Sequence, residues 1–171
     1  MPPTAAHRLV DQIVLHRRAA CVAAALCPER CAGLVSVNSY LIQDIAKAAL
    51  PLAPSIESGL WYQYYLQTER GRAGLTANRR EIARTLWIRN SPNWRFDEAT
   101  LDRHASSFEN PDYVDVVIHS YRHRLGLAAG YPPYEDVERR LAALPAITVP
   151  AITLDGKADG VVGFGALHSK E

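Results

Sequence analysis

The run from Ile13 to Asp44 limits what this chain can fold into more than any other stretch. Ile13, Val14 and Leu15 read as a short apolar strand, and an alanine-rich helix over Ala19 to Leu26 follows. Cys27-Pro28 ends that helix, because the residue before a proline is pushed out of the helical region. A second apolar run, Leu34-Val35-Ser36-Val37, stops at Asn38. Strand, small-residue helix and strand within about 25 residues make a parallel crossover unit, whose slim helix can lie close against a sheet buried on both faces. The class expected is α/β. Chemistry in such a unit gathers where the first strand turns into the helix, since strand carboxyl ends and helix amino ends converge there. That turn reads His16-Arg17-Arg18.

Composition narrows the functional classes. The 171 residues, 48% of them hydrophobic, suffice for one domain with a real core. Lys and Arg number 19 against 18 Asp and Glu, so the net charge of +1 calls for no nucleic-acid or membrane partner. The start, MPPTAAHRLV, has no basic-then-apolar signal pattern, and no run approaches the ~18 apolar residues of a membrane span. A cytoplasmic protein is the expectation. Cys21, Cys27 and Cys31 cluster around one helix and suit reduced thiols; a three-thiolate metal site is the sharper alternative, but no fourth ligand follows at zinc spacing. No cofactor is expected.

Residues 1 to 12 read as a short helical lead-in, and after Asn38 the pattern stays helical for about a hundred residues. Tyr40 to Ala49 is a short amphipathic piece, followed by a helix from Ser55 to Thr68 with Leu60, Tyr64 and Tyr65 on its apolar face, broken by Gly71 and Gly74. Thr76 to Ile88 sets Ile82, Leu86 and Trp87 against a basic face of Arg79, Arg80 and Arg84, read as solvated. Asn90-Ser-Pro-Asn is a turn, and Asp97 caps a helix running to about Phe108. Asn110-Pro111 opens the clearest helix, with Val114, Val117, Ile118, Tyr121 and Leu125 on one face and Gly126 beyond its end. His119 and His123 share this helix, but no third ligand accompanies them. Pro132-Pro133 introduces a last helix, Glu135 to Leu144. The period then reverts to strand over Ile147 to Leu154, closed by Asp155-Gly156-Lys157-Ala158-Asp159-Gly160.

Four of these segments carry a family resemblance. The stretch from Arg18 to Asn38 resembles the segment after the nucleophile in α/β-hydrolases of the epoxide hydrolase and haloalkane dehalogenase branch. Those proteins place a turn of the type G-[HY]-D-W-G-[GA] before R-A-A and the buried helix, whereas here only Arg17 stands between His16 and Arg18. Trp61-Tyr62-Gln63-Tyr64-Tyr65-Leu66-Gln67 looks like the Y-Q-x-Y-F-Q segment of epoxide hydrolase caps, and His119-Ser120-Tyr121-Arg122-His123-Arg124 is similar to a later cap segment with a Y-R-N or Y-R-H core. Leu154-Asp155-Gly156-Lys157-Ala158-Asp159 resembles the strand end L-x-G-x-x-D.

The resemblance implies an incomplete α/β-hydrolase fold of about three parallel strands, with a large helical cap between the second and third. Its expected parts are a partial core over 1–39, a cap over 40–145, and a last core strand and tail over 146–171. It implies Tyr62 and Tyr121 as donors to an epoxide oxygen, and Asp159 as the acid that orients a histidine. Asn38 stands where some relatives keep that acid, and it cannot ionise. The family's base histidine is matched by His168, which follows Asp159 by nine positions, 168 minus 159, too few for a further helix and strand; a chain terminus is expected there.

No aspartate stands at the turn to serve as nucleophile. The family's aspartyl-ester hydrolysis is therefore expected to be weak or lost here, and the partner implied is a small hydrophobic epoxide or haloalkane. The alternative is a non-enzymatic binding or dimerisation module built on the cap. A sheet so short would leave its edges open, for a second copy of the chain to cover.

Overall fold

The computed structural model describes residues 15–37, 42–154 and 156–161. The chain divides into two compact units: Met1–Ala46 with Gly130–Gly156 and Phe164–Glu171, and Lys47–Ala129 with Lys157–Gly163.

The first unit holds helix α1 (Leu15–Leu26) and strand β1 (Leu34–Val37). Later in the chain, after the segment that makes the second unit, come α8 (Glu135–Ala142) and β2 (Ala151–Leu154). β1 and β2 pair in parallel, Leu34 opposite Ala151 and Val37 opposite Leu154, so the two runs expected to share a sheet do so. Small residues on α1 allow a close approach. Cys21 and Ala24 are buried with Leu34 and Ile42, and Leu141, Ile147 and Val149 pack against them. Ser36, also buried, lies with its hydroxyl 3.7 Å from the Cys21 thiol, which gives each polar group a partner inside an apolar cluster. Arg140 donates to the Leu26 carbonyl at 3.1 Å, satisfying an orphan acceptor at the end of α1.

One expectation is corrected here. Leu15 to Arg18 are helical, so the expected end of a strand and its turn are instead the first turn of α1; without an intervening turn sequence, these residues continue in phase with the alanine-rich helix. Two strands are present among the described residues, and Ile13 and Val14, which open the first expected strand, lie outside them.

The second unit contains α2 (Pro54–Glu57), α3 (Trp61–Tyr65), α4 (Glu69–Ala77), α5 (Arg79–Asn90), α6 (Glu98–Ala105) and α7 (Tyr113–Arg124). Asp97 caps α6 by accepting from the Thr100 N–H at 2.8 Å, as its position suggested. Gly126 sits beyond α7 with a φ of 72°, the left-handed conformation that glycine adopts without strain. The core of this unit is Leu66, Leu75, Val114 and Ile118, with Ile82, Val117 and Tyr121 packed around it. The apolar spacing of α7 thus buries the face it predicts. The expected helix over 40–49 shrinks, across described residues 42–49, to the single turn Ile45–Lys47, since so short a segment ahead of Pro51 cannot sustain a helix alone.

Gly71 and Gly74 do not break a helix but lie within α4, and the break falls at Thr68, whose hydroxyl accepts from the Gly71 N–H at 3.0 Å. A Cβ on Gly71 would sit 1.8 Å from the Tyr65 carbonyl oxygen, and one on Gly74 1.8 Å from the Tyr65 hydroxyl. Alanine at a helix interior ordinarily gains about 1 kcal/mol over glycine, but a backbone collision of this kind costs about 1–3 kcal/mol and outweighs it. Gly71→Ala is therefore expected to lower the melting temperature, and Gly74→Ala to lower it less because a side-chain end can swing away; thermal melts showing Gly71→Ala stabilised would contradict this packing.

Candidate functional site

Tyr62 projects from α3 and is buried, as are Leu60 before it and Leu66 after it. Tyr121 projects from the core-facing stripe of α7. Their rings meet edge to face, with centroids 5.6 Å apart and planes at 80°, the arrangement favoured by aromatic quadrupoles. Trp61 adds a second edge-to-face contact to Tyr62 at 6.2 Å. The Gln63 amide donates a long 3.5 Å hydrogen bond to the Tyr62 oxygen, while Gln67 donates to the Gln63 carbonyl at 2.8 Å. With one lone pair of Tyr62 so occupied, its own proton remains a donor. The Arg124 guanidinium lies 4.5 Å above the Tyr121 ring centroid.

Asp159 belongs to the same unit by contact, although it follows β2 in sequence. One of its carboxylate oxygens accepts from the Val161 N–H at 2.8 Å, and the Gly160 N–H donates to the Asn90 carbonyl at 2.9 Å. Gly160 passes so close to the end of α5 that a Cβ there would lie 1.9 Å from the Arg89 carbonyl oxygen. The Arg89 guanidinium in turn bonds the Gly59 carbonyl, just ahead of α3. Arg89 thus ties the aspartate turn and the start of the tyrosine helix to one element. Its place in the sequence, last turn of a basic helix, gave no sign of this.

The structure brings Tyr62 and Tyr121 into contact, and it fixes Asp159 through α5. His168, Asn38, Asp155 and the His16 side chain lie outside the described residues. His119 and His123 stack with centroids 6.2 Å apart, and the three cysteines are free thiols. Among the described residues no three His, Cys, Asp or Glu side chains gather as a metal site requires. No described helix is long and apolar enough to cross a membrane.

The basic face of α5 is not merely solvated. Arg80 pairs with Glu98 at 2.7 Å and Asp102 at 2.5 Å, and Arg84 pairs with Glu98 through both nitrogens of its fork. Arg79 donates to the Phe108 carbonyl at 2.5 Å. Sequence alone could not show that α6 would present its acids to this face. Beside the clasp opens a cleft of about 300 Å³, lined by Arg84, Ile88, Pro92, Trp94, Arg95 and Phe96. Trp87 packs on Trp94, Phe96 and His104 behind it.

No family model and no curated protein matches this chain. A crystal structure of a "putative epoxide hydrolase" from Klebsiella pneumoniae subsp. pneumoniae is similar, at 46% identity and a TM-score of 0.82, over 84% of this chain and 48% of that one. A parallel strand pair with a helical cap inserted between its strands, superposing at that level, places the chain's fold in the α/β-hydrolase superfamily. Within it the fold is epoxide-hydrolase-like, with an incomplete core sheet. The chain spans about half the length (48%) of that solved relative.

The Glu98 clasp sets a measurable acid response. The guanidiniums of Arg84 and Arg80 hold its carboxyl down at about 2, against an ordinary 4.5. A carboxylate depressed by folding adds stability above its unfolded value, and that contribution disappears as pH falls toward the folded value. The wild type should therefore lose more stability than Glu98→Gln between about pH 4.5 and 2, with high salt narrowing the difference because the groups are exposed. Urea melts with the same pH profile for both proteins would contradict the clasp.

Proposed function

We propose that this chain is the cap-bearing part of an epoxide-hydrolase-type protein, related to the epoxide hydrolase and haloalkane dehalogenase branch, and that Tyr62 and Tyr121 bind the oxygen of a small hydrophobic epoxide. The observation that carries the reading is the contact between the two phenol rings, set on different helices. Opening an epoxide leaves an alkoxide. Two neutral phenols can bind that developing charge, and one can supply a proton, without first burying an ion. Asp159, on a turn anchored to α5, is the acid that would orient a histidine.

Ester formation by attack on carbon needs a carboxylate at the entry to the buried helix, and residues 16–18, in the first turn of α1, read His-Arg-Arg. Diol formation by this chain is accordingly weak or absent, and binding is the property to measure. Saturation-transfer NMR with an aryl epoxide should show binding that weakens about 5–10-fold in Tyr62→Phe and again in the double variant with Tyr121→Phe, the worth of one neutral hydrogen bond each. Binding unchanged in the double variant would remove the basis of this reading.

A second reading concerns association. Val35, Val37, Ile152 and Leu154 are 46%, 39%, 59% and 51% exposed on a two-stranded parallel sheet, an architecture normally covered on both faces. A second copy of the chain would cover this row. Sedimentation should then detect a dimer that Ile152→Lys abolishes; a monomer at all concentrations would exclude it.

A further inference from the structure

We propose that Arg124 is a positioning residue for the phenol pair: its guanidinium seats the Tyr121 ring against Tyr62 and strengthens the Tyr121 hydroxyl as a hydrogen-bond donor. The inference rests on the epoxide-binding reading and adds a residue to it. Arg124 is the last residue of α7, one turn beyond Tyr121, and its guanidinium carbon lies 4.5 Å from the ring centroid, well inside the ~6 Å range of a cation–π contact. A cation over the ring face draws on the π electrons, which favours the form of the phenol carrying more negative charge. It therefore helps the hydroxyl give up density to an acceptor such as a strained epoxide oxygen. The same contact restricts rotation of Tyr121, whose ring also meets Tyr62 edge to face at 5.6 Å.

Neighbouring charges on the elements packed here have other engagements. Arg122 donates to the Leu127 carbonyl at 3.1 Å, and His123 stacks on His119. Across on α4, Arg72 pairs with Asp115 at 2.5 Å. On α5, Arg79 lies over the Tyr113 ring at 5.9 Å, and Arg89 bonds the Gly59 carbonyl. Gln63, on α3, serves the Tyr62 oxygen. Arg124 is the cation that lies over the Tyr121 ring.

The test uses the full chain labelled with 13C at the tyrosine ring carbon bearing oxygen, with Tyr121 assigned by comparison with Tyr121→Phe. In Arg124→Gln, which removes the charge but keeps amide hydrogen bonding, Tyr121 should ionise at a pH about 0.5–1 unit higher than in wild type. In Arg124→Lys, which keeps a cation, the titration should stay close to wild type; this variant keeps the proposal testable if Arg124→Gln does not fold. Aryl-epoxide binding should fall severalfold in Arg124→Gln and recover in Arg124→Lys. A Tyr121 titration unmoved by Arg124→Gln, or moved equally by Arg124→Lys, overturns the proposal whatever the binding result. A shifted titration with binding insensitive to Tyr62→Phe and Tyr121→Phe would instead uphold the effect of Arg124 on Tyr121 and remove the epoxide reading beneath it.

Discussion

The close passage of Gly71 beneath the Tyr65 carbonyl is the constraint on which the second unit depends. Only a residue without a Cβ lets α4 start so near the end of α3, and Thr68 caps the junction with its hydroxyl. That approach sets Leu66 and Leu75 side by side, where Val114 and Ile118 of α7 can pack on both. Two helices far apart in sequence are thereby fixed against one another. Tyr62 rides on the first and Tyr121 on the second, so their contact is a product of core packing and not of local sequence.

Around this core the unit uses two different kinds of polar tie. The clasp of Arg80 and Arg84 on Glu98 and Asp102 is exposed, so it orients α6 on α5 more than it stabilises the fold. Arg89 works through backbone carbonyls instead, linking the segment before α3 to the end of α5, where the Asp159 turn also attaches. In the first unit the order comes from small residues. Cys21 and Ala24 bring α1 against β1, while Val35 and Val37 of β1 and all four residues of β2 stay exposed.

Much of this was legible because it rests on local chemistry. The apolar stripe of α7, the cap at Asp97 and the left-handed Gly126 follow from periodicity and turn residues, whereas a shared sheet for Leu34–Val37 and Ala151–Leu154 is what the family resemblance implies. What the sequence hid depends on partners distant along the chain. Gly71 and Gly74 look like breakers until the Tyr65 carbonyl and hydroxyl are seen beside them, and the arginines of α5 look solvated until α6 presents its acids. The first turn of α1 was misread for a different reason: a few apolar residues ahead of an alanine-rich run suit strand or helix equally well, and nothing local decides between them. For the site, motif resemblance picked out Tyr62 and Tyr121 as a pair, but Arg89 and Arg124 had no motif to mark them.

The most direct measurement is a nuclear Overhauser spectrum of the chain with ring-labelled tyrosine and tryptophan. Rings packed edge to face at 5.6 Å bring ring protons of one tyrosine close to the other, so cross-peaks between Tyr62 and Tyr121 should match those between Trp61 and Tyr62 in strength. Cross-peaks for the tryptophan pair with none between the two tyrosines would contradict the account, because α3 and α7 would not then hold the phenols together.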